Sequence, residues 1–401
     1  MPAESTLLLA TLFVIAAAAG WAFARFSDNK QRQADTAQLS ADYYRGLNYL
    51  LNQKPDEALE VFMRMTELDD EAIETHLLLG SLFRRRGEVD RAIRIHQNLI
   101  ARPDLTGLQR DQALYALGED YLKAGLFDRA EDLYEQLAES ETHSVDALEG
   151  LVNIYEQERE WLRAIEARQR LEKLLTPDGR DVIPHYYCEL AQEALKRKAF
   201  TEARQFLKKA RTGRNRTARG AMMRGDIARE LGDCELALKL YERTLQQDPE
   251  LLSEILPRAH GCFTKTDKES TERFSRLVTE WITRNEAIRD ELAYASIVNG
   301  LVGVPVIDEA VLEYVRQSDA LAALFSAVVS DETIQDAGAI HRIHKALHRI
   351  AKRSSRYRCR DCGFSGAKLY WQCPSCKSWD TTRPIGHFRF ESLLHPGVVT
   401  G

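Results

Sequence analysis

The sequence predicts an all-α solenoid of helix-pair repeats, with a membrane-spanning helix at the N-terminus and a small metal-binding domain at the C-terminus. Three observations predict it. An uncharged run of 20 residues lies near the start, a small–aromatic–Ala–aromatic pattern returns six times, and four cysteines form two C-x2-C doublets near the end.

After a tail of residues 1–4, the run from Ser5 to Ala24 reads STLLLATLFVIAAAAGWAFA. About 20 apolar residues at roughly 1.5 Å each cross a bilayer core of roughly 30 Å. Trp21 and Phe23 stand near its distal end, where aromatic rings favour the interface. A cleavable signal peptide would carry a positive n-region, and this chain begins Met-Pro-Ala-Glu. Arg25, Lys30 and Arg32 follow the run, in a juxtamembrane linker over 25–38, so the positive-inside rule keeps the large C-terminal part in the cytoplasm.

Residues 39–250 carry the repeats. The template appears as Gly46, Tyr49, Ala58, Phe62, then as Gly80, Phe83, Ala92, His96, and again as Gly118, Tyr121, Ala130, Tyr134. It loosens to Val152, Tyr155, Ala164, Arg168 and to Ala191, Ala194, Ala203, Leu207, then sharpens as Gly225, Ala228, Ala237, Tyr241. The six alanines step by 34, 38, 34, 39 and 34 residues, the period of tetratricopeptide repeats. Small residues let paired helices approach and the aromatics fill the remaining gap, so these positions read as scaffold and not as a cofactor site. Polar residues one or four places after the small residue would line the concave face that solenoids offer to partners: Arg84, Glu119, Asn153, Gln192 and Arg229.

Beyond Pro249 the pattern degrades, and 251–335 reads as divergent or capping helical repeats, with a break at Val304-Pro305. A basic connector helix over 336–356 follows. Ile340, Ile343, Leu347 and Ile350 form its apolar stripe, and no acid lies between Arg342 and Arg360. His341, His344 and His348 lack a neighbouring carboxylate, so the helix reads as one that packs on the repeats or on the metal domain rather than as a metal site. Attraction of its basic face to the anionic cytoplasmic leaflet is a second expectation.

Residues 357–401 hold Cys359, Cys362, Cys373 and Cys376. Each C-x2-C makes a tight turn that aims two thiolates at one ion, and four thiolates suit Zn or Fe. Gly363 and Pro374 fit such turns, and Leu369-Tyr370-Trp371 could supply a strand. All four ligands are protein, so the site is closed and structural. Cys188, Cys234 and Cys262 stand far apart and read as small buried hydrophobes, which places the body in a reducing compartment.

A net charge of −6 argues against a general nucleic-acid binder. No dinucleotide, P-loop, zincin or hydrolase motif accompanies the cysteines. The chain therefore reads as an adaptor and not as an enzyme.

Taken together, the N-terminal span, the repeats and the string YRCRDCGF…LYWQCPSCKSWD resemble the lipopolysaccharide assembly protein B family of Gram-negative bacteria over essentially the whole chain. The resemblance implies an inner-membrane protein with a cytoplasmic body and a rubredoxin-like domain that packs on the repeats. It implies one Fe or Zn ion on the four cysteines. It further implies regulation of lipid A output, by promoting degradation of the committed-step deacetylase by the membrane AAA protease FtsH. The alternative is a scaffold joining lipopolysaccharide synthesis to transport proteins without proteolysis. Lys377 stands where a full rubredoxin has glycine and the loop between the doublets is far shorter, which argues against electron transfer.

Overall fold

A computed structural model describes residues 42–52, 54–68, 73–175, 182–211, 217–263, 268–318, 321, 337–352 and 354–386. The proposed span over 5–24 and its flanks lie outside these residues. Among the described residues no helix is long and apolar enough to cross a membrane. The chain divides into two compact units between Thr176 and Pro177.

The first unit holds helical residues 42–51 (α1), α2 (Pro55–Leu68), α3 (Ile73–Arg85), α4 (Val89–Ile100), α5 (Gly107–Ala124), α6 (Phe127–Leu137), α7 (Ser144–Glu158) and α8 (Trp161–Leu174). The second opens with α9 (Ile183–Lys196), α10 (Phe200–Lys209), α11 (Ala218–Glu230) and α12 (Cys234–Gln247). Helices pack pairwise as the template requires. All six anchoring alanines, Ala58, Ala92, Ala130, Ala164, Ala203 and Ala237, are fully buried. The small residue of the first helix faces the large one of the second: a methyl on Gly46, Gly80, Gly118 or Gly225 would stand within 2.6 Å of Phe62, His96, Tyr134 or Tyr241 respectively.

The turn inside each pair is the same hydrogen-bonded object. The carbonyl of the second template residue accepts the N–H five residues on, from Lys54 to Tyr49, Glu88 to Phe83, Leu126 to Tyr121, Glu160 to Tyr155, Ala199 to Ala194 and Asp233 to Ala228, each at 2.9 Å. This is the six-to-one bond of a helix C-terminus ending in a left-handed residue. Gly87, Gly125 and Gly232 supply that conformation at φ +83°, +75° and +83°, where glycine meets no steric penalty. In the two loosened repeats the same place is held by Arg159 at +60° and Lys198 at +58°.

The pairing changes after α12. A 3-10 turn (Pro249–Leu251) leads to α13 (Leu252–His260), α14 (Lys268–Arg284), α15 (Glu286–Asn299) and α16 (Pro305–Gln317). Leu252, Ile255, Leu256, Phe274, Val278, Trp281 and Leu292 form one buried cluster among them. Pro305 occupies the first turn of α16, where its missing N–H costs nothing. The basic helix α17 (Ala337–Ala351) buries Ile343, Leu347 and Ala351 against Tyr294, Ile297, Val311 and Val315 of α15 and α16. Its cations Arg342, Lys345 and Arg349 face out. His348 Nδ1 lies 2.8 Å from the Ile297 carbonyl and His344 is buried, so these histidines pack the helix.

The chain then forms a three-stranded antiparallel sheet in the order β2-β1-β3, from β1 (Tyr357–Cys359), β2 (Ser365–Gly366) and β3 (Thr382–Pro384). Arg358 pairs with Ser365 on one side and with Arg383 on the other. The expected strand at Leu369-Tyr370-Trp371 does not form. Trp371 instead packs against the helical core, and only an isolated bridge, Gln372 with Trp379, closes the second doublet.

Candidate metal centre and partner cleft

The two cysteine doublets are folded alike. The Cys359 N–H donates to the Phe364 carbonyl at 2.7 Å and the Gly363 N–H donates back to Cys359 at 3.0 Å. In the second doublet the Cys373 N–H donates to Ser378 at 2.9 Å and the Lys377 N–H donates to Cys373 at 3.0 Å. Gly363 at φ +76° and Lys377 at φ +60° hold the equivalent left-handed position. Lysine in place of glycine therefore leaves the turn intact.

These turns bring the four sulfurs within 4.8 Å of one another. Cys359 and Cys376 Sγ are 3.7 Å apart, and Cys362 and Cys373 Sγ 3.6 Å apart. An ion with four sulfurs at about 2.3 Å sets tetrahedral edges of about 3.8 Å. The residues thus fit one Zn or Fe ion. Burial works against the Cys359 thiolate, yet hydrogen bonds from Thr381 and from the N–H groups of Cys362 and Asp361 outweigh it and lower its pKa to about 6. Burial pushes Cys373 up to about 12. A metal ion takes its cysteine ligands as thiolates, so binding releases their protons. With all four positions taken by Cys359, Cys362, Cys373 and Cys376, a bound ion would supply structure.

The ribbon rests on helices of its own unit through an aromatic and ionic seam. The Trp379 ring lies 5.5 Å from His185 and 5.6 Å, edge-on, from Tyr186 of α9. Trp371 lies 6.3 Å from His185, and the Arg219 guanidinium of α11 sits 5.4 Å from the Trp371 ring. Arg219, 1% exposed, donates to Glu189 at 2.7 Å and to Gln192 at 2.9 Å. Arg360 donates to both oxygens of Glu250, at 2.6 and 2.7 Å. Arg383 pairs with Asp248 at 3.1 Å and Asp380 at 3.0 Å, and the Tyr357 hydroxyl donates to Glu254. Burial lowers the His185 pKa to about 4, assisted by Arg219 and Arg383, so the ring packs neutral. Sequence reasoning named none of His185, Arg219, Asp248 or Glu250 for this role. The signal that could have found them is the pair of tryptophans flanking the second doublet, Trp371 and Trp379.

The five residues expected on a partner-binding face are divided between the two units. Arg84, Glu119 and Asn153 line one cleft of about 620 Å³ in the first unit, with Tyr115 and Glu149. Gln192 and Arg229 lie in the second unit, where Gln192 is held by Arg219 and Arg229 pairs with Glu230 at 3.7 Å. Within the cleft wall Arg84 donates to Glu119 at 2.7 Å and to the fully buried Asp120 at 2.6 Å, and His96 Nδ1 lies 2.5 Å from Asp120. Burial, with Glu119, Asp146 and Glu149 nearby, raises the Tyr115 hydroxyl to about 12. Asp120 escaped the sequence reading because an acid in the middle of an amphipathic helix looks like a surface residue.

Helix-pair repeats joined to a closed four-thiolate ribbon define a tetratricopeptide-repeat scaffold, a non-enzymatic fold, carrying a metal-binding domain. Residues 357–384 match the rubredoxin metal binding domain, and residues 75–108 and 115–178 match tetratricopeptide repeats. The chain is 35% identical to lipopolysaccharide assembly protein B of Escherichia coli (strain K12), over 94% of this chain and 98% of that one. The protein of that name from Haemophilus influenzae is 32% identical over 95% and 98%. A solved structure, the C-terminal part of a tetratricopeptide repeat-containing protein from Cytophaga hutchinsonii, aligns with a TM-score of 0.37 at 16% identity, covering 74% of this chain and 98% of that one. The chain belongs to the lipopolysaccharide assembly protein B family.

Proposed function

We propose that this chain serves lipopolysaccharide assembly as an adaptor tethered to the inner membrane, with residues 5–24 as the span and the repeats on the cytoplasmic side. The observation that carries the reading is the near full-length match to relatives named for that process. The adaptor role draws support from the cleft bordered by Arg84, Glu119 and Asn153, which offers charged and aromatic groups on a rigid helical wall. Gln192 and Arg229 are proposed as further contacts on the second unit. The metal centre contributes a fixed fold to the ribbon and no chemistry.

In the finer form of this reading, the adaptor presents the committed-step deacetylase of lipid A synthesis to the membrane protease FtsH. Depletion of the chain in its native cell, followed by immunoblotting, tests it. The deacetylase should accumulate several-fold, and an unchanged level sinks the proteolytic reading. Co-purification from membranes then separates the alternatives. Protease and deacetylase support the adaptor, whereas transport proteins alone support a scaffold that joins synthesis to export.

A further inference from the structure

The seam between ribbon and helices has two properties that belong together. Its ribbon side is carried by residues interleaved with the metal ligands. Arg360 lies between Cys359 and Cys362, Trp371 stands two residues before Cys373, and Trp379 stands three after Cys376. Beyond the three short strands, this segment has little regular structure to fix those side chains. A domain of roughly 30 residues orders itself chiefly through its ion.

The second property is incomplete satisfaction. His185 Nδ1, Arg219 Nη1 and Thr382 Oγ1 are buried without a hydrogen-bond partner, three of six such side-chain atoms among the described residues. All three stand where the ribbon meets α9, α11 or the 3-10 turn. Each such atom opposes docking when it is shut away from water, a charged group most of all. Docking is thus favoured by stacking and ion pairs and opposed by desolvation. A contact held by opposed contributions can be opened by one further event.

We propose that the ribbon is a metal-keyed latch: it docks on α9, α11 and α13 when its four cysteines hold an ion, and loss of the ion releases it. Release uncovers a face of aromatic and acidic side chains, namely His185, Tyr186, Asp248, Glu250 and Glu254. The occupant of that face in the closed state is this chain's own ribbon. The latch stands independently of which client the adaptor serves.

Accessibility of His185 tests this, because the ring is 3% exposed in the docked state. The full chain, purified in detergent and loaded with zinc, is treated with diethyl pyrocarbonate, and peptide mass spectrometry reads modification of each histidine. Zinc is then removed with a chelator and the labelling repeated. Labelling of His185 should rise about tenfold or more as local opening replaces protection. It should fall again when zinc returns. His344, 2% exposed under α17, reports on the surrounding helices and should stay protected throughout. The double variant Cys359→Ser/Cys362→Ser should label at His185 without any chelator. Continued protection of His185 in the zinc-free wild-type chain overturns the latch. So does a parallel rise at His344, which would mean that the whole unit unfolds rather than that the ribbon lifts.

Discussion

Tyr134 is held between Gly118 and Gly150: a methyl on either glycine would stand 2.6 Å from its ring. One aromatic side chain of α6 thus sets the approach of α5 within its own repeat and of α7 in the next. Gly118→Ala forces that ring to move. Overpacking costs about 1–3 kcal/mol, offset in part by roughly 1 kcal/mol from replacing a helical glycine. Urea denaturation of the first unit's transition should show a net loss of up to about 2 kcal/mol, and a gain of about 1 kcal/mol, the helical-glycine contribution alone, would mean the ring has room to turn.

Arg159 and Lys198 adopt the left-handed turn conformation that glycine fills in three sister repeats. For a residue with a Cβ this costs about 1–2 kcal/mol. Arg159→Gly should therefore stabilise the chain, by about 0.5–1 kcal/mol once the added freedom of the unfolded chain is subtracted. Gly125→Ala should do the reverse. Paired melting curves check both signs.

Arg84 and Asn153 border the same cleft but differ in burden. Arg84 neutralises Asp120, which is 0% exposed, so Arg84→Met leaves a buried carboxylate with only His96 beside it. Removal of one partner of a buried pair costs about 3–5 kcal/mol. Asn153 is exposed and accepts a hydrogen bond from Gln157 at 2.7 Å. Asn153→Ala should change stability by less than about 0.5 kcal/mol while weakening client capture in a pull-down. Unaltered capture by a fully folded Asn153→Ala chain would remove this residue from the binding face.

Glu291 has its pKa raised to about 7 by burial and by Glu250 and Asp290. A carboxyl raised on folding favours the neutral form, so its contribution is intact below the unfolded value near 4.5 and is lost as pH rises through about 7. The second unit should lose stability between pH 5 and pH 8, on the order of 1–3 kcal/mol from this group. Glu291→Gln should flatten that dependence, and an unchanged pH profile would show that the carboxyl is solvated.

The metal centre predicts a local collapse. Cys373→Ser removes a buried ligand, and the purified variant should carry less than about one tenth of the wild-type metal, since site formation and binding are coupled. Atomic emission measures the content. Backbone exchange over 357–384 should rise at the same time.

Sequence alone determined the repeat period, the small-residue and aromatic positions, and the cysteine pairing. Each of these is a short-range pattern. Within each repeat the small residue and the large one stand 16 residues apart, and each doublet spans four residues. Tertiary structure decided the rest. Arg360 meets Glu250 across 110 residues of chain, and the buried Arg219 lies 5.4 Å from the Trp371 ring. A buried arginine and an exposed one carry the same letter, and burial is a property of the neighbours that folding supplies. The same reason gives the expected contact residues different surroundings. Helical spacing gave them equivalent register, but only packing showed that Arg84, Glu119 and Asn153 share a cleft while Gln192 is already committed to Arg219.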